Sequence, residues 1–287
     1  VAKKTPEPAT GYLKDEEDRD LLEACCIDFD IMSLSPLGDV PDTRGIKDKM
    51  RRTDQGRINS CGGFGFAHAA QVAMFNQTQV WRYFHAMWSY RRAQEESGIR
   101  GDRGSTITGL VKAGKKGILP EDFDGDGQPE TVYRPDYDMR FPDGAAAVAA
   151  QWRVGYSLSM RTFDEMLRFM QTGQGAVVIG GSWGNWRPDA NGIANTYRGG
   201  GGGHARAYVD WITIRGKVHL VEANSHGTRY GDKGFAYHTK KFVDTQGRSS
   251  SFSGIGISDM QHPEVRRVVP VDEWNRRTFA GGLPRPF

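Results

Sequence analysis

Apolar positions change their spacing near the middle of the chain, from a helical period to a strand period. Residues 60–76 are small or apolar on every side, with Phe64, Phe66, Ala67, Val72 and Phe75 among them. Such a run predicts a helix buried all round rather than one with a wet face. A second helical stretch covers residues 78–93, with Trp81, Phe84 and Trp88 at helical spacing. A third covers 105–116 and is stopped by Gly117 and Pro120. One short helix is also expected near residues 16–24. Past residue 150 a single amphipathic helix stands out: Thr162 and Glu165 form a capping box ahead of an apolar stripe of Phe163, Met166, Leu167 and Met170. Strand-like segments then dominate at 176–179, 205–214 and 218–222, and Arg215-Gly216 supplies a hairpin turn between the last two.

This order predicts an α+β fold of two lobes, a helical first lobe and a β-rich, barrel-like second lobe with a cleft between them. Residues 1–51, rich in Pro, Gly and charge, read as an irregular N-terminal extension. Residues 52–150 form the helical lobe and 151–287 the β-rich lobe. The 287 residues are 38% hydrophobic and 25% charged, an ordinary globular balance. No apolar run reaches the length of a membrane span, and the charged, Pro-containing start is unlike a signal peptide. The net charge of +3 is small. The basic cluster of Lys47, Lys49, Arg51 and Arg52 reads as a solvated linker rather than a nucleic-acid surface. The cysteines are three, Cys25, Cys26 and Cys61. An odd number with two adjacent makes no disulfide framework and fits a reducing, cytoplasmic or virion-associated setting. No Cys and His set has zinc spacing.

Candidate chemistry starts at Cys61. Asn59 or Ser60 suits an N-cap, which places Cys61 in the first turn of the buried helix, where unpaired N–H groups and the helix dipole favour a thiolate. Gly62, Gly63 and Gly65 follow in the same turn; each is a poor helix former by ~1 kcal/mol relative to Ala, so something must approach the backbone closely. A lone cysteine would more simply be a small core residue. This one has company downstream: Gly199 to Gly203 deliver His204 onto the start of a strand, and Asn224 follows the returning strand of the same hairpin. Strand pairing brings the two together, so the Asn224 amide can orient the imidazole.

On these residues the chain resembles the papain-like cysteine peptidases. Gln55 to Cys61 is similar to the Gln-Gly-x-Cys-Gly-Ser-Cys-Trp signature of papain and the cathepsins. His204 falls at the family's separation of ~130–150 residues from the cysteine, and Asn224 slightly beyond it. Glu222 to Gly231 resembles the Lys-Asn-Ser-Trp-Gly-x-x-Trp-Gly stretch, and Lys233-Gly234-Phe235 the Gly-Tyr after it. Residues 101–117 with Glu121, and the strand at 176–179, extend the likeness to a span of about 52–242. The resemblance implies a Cys61–His204–Asn224 triad with Gln55 as oxyanion donor beside the Cys61 amide. It also implies a peptide substrate running past Gly62, Gly63, Gly203 and His226. No cofactor, nucleic acid or membrane is implied, and an endopeptidase is the default form. Three positions depart from the pattern: Ile58 replaces the family's disulfide cysteine, Gly62 its Trp after the nucleophile, and His226 the Trp that shields the His–Asn bond. A more exposed His204–Asn224 bond is the expectation, and no propeptide is recognisable before residue 50. These departures motivate a rival reading, a catalytically reduced module that binds peptides or serves a larger assembly such as a virion.

Two further features of the sequence bear on metal binding and the cleft wall. Asp122, Asp124 and Asp126 match the first half of a calcium loop, but Tyr133 stands where the closing Glu belongs, so an acidic surface turn is preferred and no metal site is assigned. Trp183 and Trp186 read as core, with Trp186 a candidate wall of the cleft.

Overall fold

The computed structural model describes residues 11–14, 41–122, 136–184 and 186–262. The helix expected near 16–24 and the positions Asp124 and Asp126 lie outside them. Helix α1 is Ile46–Lys49, α2 Cys61–Thr78, α3 Ala86–Glu96, α4 Ile107–Lys116 and α5 Ala145–Ala149. Then come β1 (Arg153–Ser159), α6 (Phe163–Gln171), β2 (Gly175–Ser182), β3 (Ile193–Ala194) and β4 (Gly203–Ile214). The described chain ends with β5 (Lys217–Ala223), β6 (Phe235–His238), α7 (Lys240–Gly247) and β7 (Ser253–Gln261). The fold is α+β. Its strands make one seven-stranded sheet in the order β1-β7-β2-β4-β5-β6-β3. With β1 and β3 at its two edges the sheet is open, which corrects the barrel-like expectation.

Helix α2 is the pivot between the helices and the sheet. Every residue from Cys61 to Met74 is buried, as a helix without a polar face requires. Its small residues set the packing distance. A Cβ on Gly63 would lie 2.2 Å from the Ala86 carbonyl of α3, and one on Gly65 would lie 3.0 Å from the Arg206 main chain of β4. One core cluster therefore runs through both halves of the chain, joining Phe66, Ala70 and Val72 to Val178, Ala207 and Ile255. A second core lies on the sheet's other face, where Met166, Phe169, Trp211 and Phe242 pack under α6 and α7.

The predicted elements fare unevenly. The capping box holds: Glu165 N–H donates to the Thr162 hydroxyl, and the Glu165 carboxylate accepts from Thr162 N–H. The β4–β5 hairpin turns at Arg215 and Gly216, both left-handed with φ of 51° and 72°, as a primed turn requires. The second helix begins at Ala86 instead of 78. Gln79 takes a left-handed φ of 60° and closes α2, Phe84 bridges to Pro120, and the His85 ring caps α3 by accepting from Trp88 N–H. Trp81 and Phe84 thus sit in a connection. The stretch 42–50, read as irregular, is tied to β4. Asp210 accepts main-chain N–H bonds from Arg44 at 3.2 Å and Ile46 at 2.8 Å. Strands β1 and β7 were not anticipated. Among the described residues no helix is long and apolar enough to cross a membrane.

Two core histidines make stability depend on pH. His68, hydrogen-bonded to the Thr53 hydroxyl at 3.2 Å, is pushed down to about 3 by burial and by the Arg51 charge; His85 is pushed down to about 4 for the same reasons. Both are neutral in the fold and take up protons near pH 6.5 when the chain unfolds. Their contribution is intact above pH 6.5 and falls as the pH drops toward their folded values. We expect each to cost about 2 kcal/mol of stability by pH 5, lowering Tm by roughly 10 °C from its value at pH 7.5. Thermal unfolding across pH 7.5–5 checks this, and His68→Gln should flatten the drop.

Candidate active site

The hairpin β4–β5 and the start of α2 together build the site. His204 is the second residue of β4, and Asn224 follows the last residue of β5, where Ala207 pairs with Ala223. Across the hairpin His204 Nε2 meets Asn224 Oδ1 at 2.9 Å, and neither residue is more than 3% exposed. The amide's orientation is set by unambiguous neighbours. Its oxygen accepts from Ser225 N–H at 2.7 Å, and its nitrogen donates to the Glu222 carboxylate at 2.8 Å. His204 Nε2 is therefore the donor and carries the proton, which leaves Nδ1 unprotonated, buried and without a hydrogen-bond partner.

Cys61 opens α2 with no solvent exposure. Ser60 precedes it at the N-cap but its hydroxyl bonds nothing, so the cap expected there is one of position only. The sulfur accepts two main-chain N–H contacts, from Ala205 at 3.4 Å and from Gly11 at 3.2 Å. Burial pushes the thiol up, against the pull of N–H groups of Ala205, Gly11 and Gly62 and of the Arg206 charge. Burial likewise pushes His204 well down, with His226 and Arg206 adding to it. The helix N-terminus alone does not win over desolvation. Both groups are neutral in this state, and no ion pair links them.

The burial comes from the chain's own N-terminal residues. Residues 11–13 run through the cleft between Ser105 and Gly203. Ser105 N–H donates to Gly11 O at 2.8 Å, Leu13 N–H to Ser105 O at 3.0 Å and Tyr12 N–H to Gly203 O at 3.1 Å. The passage is lined by glycine: a Cβ on Gly104 would lie 1.9 Å from Gly11 O, and one on Gly203 2.1 Å from Tyr12 O. The Tyr12 ring packs against Gly180, and its hydroxyl donates to Ser251 O at 3.1 Å. A segment blocking the cleft was not recognisable before residue 50 because three residues of main-chain pairing leave no composition signal.

The remaining sequence candidates divide. Gln55 is buried beside Ser225, its N–H donating to Ser225 O, its Oε1 accepting from the Ser225 hydroxyl at 2.6 Å and its Nε2 donating to Ile58 O at 2.8 Å. His226 stacks on His204 with ring centroids 4.4 Å apart and 25° between planes, and Trp183 meets His204 edge-on, also at 4.4 Å. These two rings cover the His204–Asn224 bond, so the exposure expected from losing a Trp at 226 does not arise. Burial holds His226 down to about 4. Gly63 faces α3 rather than the cleft, and Gly62 faces the Ser105 hydroxyl, 2.3 Å from where a Cβ would sit. The close approach that the glycines implied is made by protein. Asp122 lies within 3.7 Å of Arg82, and no cluster of metal-ligating side chains occurs among the described residues. Missed altogether were Glu222 and Arg206, charged residues inside otherwise apolar strands, which was a visible signal.

No family model matches the sequence, and no curated protein matches it either. Solved structures do match. Xylellain, a cysteine protease from Xylella fastidiosa, aligns with a TM-score of 0.61 at 19% identity, over 90% of this chain and 98% of its own. Digestive procathepsin L 3 of the Tenebrio molitor larval midgut aligns at 0.58 and 12% identity, over 82% and 74%. The bromelain protease of Ananas comosus aligns at 0.56 and 11%, over 76% and 99%. The chain has the papain-like cysteine protease fold.

Access to the sulfur depends on the segment over it. Tyr12→Ala removes the ring and hydroxyl that anchor residues 11–13, and should speed alkylation of Cys61 by iodoacetamide about tenfold or more at pH 7.5. Peptide mapping reads the rate at Cys61; an unchanged rate would mean that this segment does not guard the thiol.

Proposed function

We propose that this papain-like fold works as a cysteine peptidase, with Cys61 as nucleophile, His204 as general base and acid, and Asn224 as the residue that orients the imidazole. The observation that carries the reading is the buried His204 Nε2–Asn224 Oδ1 bond of 2.9 Å, with Nδ1 left bare on the ring and the N–H of the adjacent Ala205 at 3.4 Å from the Cys61 sulfur. A second observation supports a peptide as the substrate class. The cleft already holds an extended polypeptide, residues 11–13, through main-chain bonds to Ser105 and Gly203. That guest belongs to the interior of a chain, with residues continuing on both sides of it, which favours an endopeptidase.

The guest meets the sulfur through its main chain. What it turns toward the sulfur is the Gly11 N–H, while the Gly11 carbonyl is engaged by Ser105 N–H. When this segment leaves, water and substrate reach the site and the thiol proton can pass to His204 Nδ1. The thiolate then attacks the scissile carbonyl to form a tetrahedral intermediate. The Cys61 N–H and the Gln55 amide are the donors proposed for the oxyanion, which requires Gln55 Nε2 to serve the oxyanion as well as Ile58 O. Collapse expels the amine with the proton from His204 and leaves a thioester, which water attacks with His204 as base. Protonated His204 is stabilised by Asn224 rather than by a carboxylate at Nε2.

Incubation with an irreversible epoxysuccinyl inhibitor, followed by peptide mapping, tests the reading. We expect one adduct per chain on Cys61 and none in His204→Ala. Cys61→Ala should lower hydrolysis of a denatured protein substrate by about a thousandfold or more. A Cys61→Ala protein with undiminished activity would falsify the assignment.

A further inference from the structure

Glu222 is a fully buried carboxylate that the reaction above does not use. It stands on β5 two residues before Asn224, so both side chains leave the hairpin on the same face. Its Oε1 accepts from Asn224 Nδ2 at 2.8 Å and from the Tyr230 hydroxyl at 2.8 Å. Its Oε2 faces Arg206 Nε at 2.5 Å and His238 Nε2 at 3.0 Å. Arg206 lies on β4 two residues after His204, with its guanidinium 5.3 Å from the ring centres of both Trp183 and Trp186.

We propose that Glu222 is a positioning residue: an acceptor-only carboxylate, paired to Arg206, that fixes the orientation of the Asn224 amide and through it the Nε2–H tautomer of His204. The kinetic consequence rests on the peptidase reading; the tautomer does not.

The argument turns on the near symmetry of a primary amide, whose oxygen and nitrogen exchange places by a half-turn. With the oxygen toward His204, Nε2 is the donor and Nδ1 is free to accept a thiol proton. After a half-turn the NH2 would face Nε2, the ring proton would have to sit on Nδ1, and the base would be disabled. Ser225 N–H favours the first arrangement. Glu222 forbids the second, because the amide oxygen would then face a buried carboxylate oxygen with no proton between them. That exclusion needs an ionised carboxylate. Burial pushes Glu222 up, but the charge of Arg206 and the contact with His238 outweigh it and hold the group well below the usual carboxylate range. Arg206 thereby works on the imidazole through two intermediaries.

Glu222→Gln is the diagnostic change. The Gln oxygen will turn to the uncompensated Arg206, which presents its NH2 to Asn224 and drives the amide through its half-turn. Imidazole 15N spectra should show the His204 Nε2–H tautomer in the native protein and the Nδ1–H tautomer in Glu222→Gln, with His204→Gln used to assign the signal. On a peptide substrate kcat should fall about a hundredfold or more while KM stays within about threefold. In Glu222→Gln/Arg206→Met the Gln oxygen is free to return to Asn224, which should restore the Nε2–H tautomer and at least about tenfold of the lost kcat. A purely structural Glu222 would not be rescued by removing a second buried partner. A folded Glu222→Gln protein that keeps the Nε2–H tautomer and native kcat overturns the proposal. If that variant does not fold, the native protein decides: a scalar coupling across the hydrogen bond from the Asn224 side-chain amide to the Glu222 carboxyl carbon supports it. Absence of that coupling, or a native Nδ1–H tautomer, overturns it. Should the tautomer switch in a chain that cleaves no peptide, this assignment stands and the peptidase reading fails.

Discussion

A single ion pair, Arg206 to Glu222 at 2.5 Å with neither side chain exposed, governs the arrangement around it. Two opposite charges taken out of water are tolerated only when they are matched to each other and their remaining donors and acceptors are engaged. The partners supplied here are Tyr230, His238 and Asn224 for the carboxylate and two indole faces for the guanidinium. Gathering these partners draws β4, β5 and the Trp183 loop together around the imidazole. The site's rigidity is thus electrostatic in origin as much as apolar, although the layer beneath it, Phe66 and Ala70 against Ala207, is packed hydrocarbon.

The second constraint is desolvation. Closing residues 11–13 over Cys61 and His204 removes water from both, and each then prefers its neutral form. Occupancy of the cleft and the charge states of Cys61 and His204 are therefore coupled. A resting molecule of this kind keeps its thiol protonated without any inhibitor bound, and opening supplies both space and the solvent that a thiolate–imidazolium pair needs.

Sequence made the site's skeleton legible and left its reinforcement hidden. The run of small residues after Cys61, the capping box at Thr162 and the Arg215-Gly216 turn are local signals, written within one or two turns of chain, and each appears where expected. Strands β1 and β7 pair with one another across some hundred residues, and their Gly-containing, partly polar sequences have no period strong enough to read alone. Trp81 and Phe84 carried a helical spacing that a left-handed Gln79 overrode. His204 and Asn224 could be joined because a hairpin predicts which residues face one another, whereas Cys61 was tied to them only by the family resemblance. Glu222 and Arg206 were readable only as charges out of place, and residues 11–13 not at all, since their pairing with Ser105 and Gly203 is made by main chain.

That main-chain character shapes what the groove can distinguish. With Gly104 on one side and Gly203 on the other, the passage admits a backbone so closely that no β-carbon fits on either wall. What the passage holds is extended main chain, a conformation available from nearly any sequence and from almost no intact helix or sheet. On the peptidase reading proposed above, a groove built this way would sort polypeptides by whether they are locally unfolded before sorting them by side chain, making conformational stability of the guest the first barrier to entry.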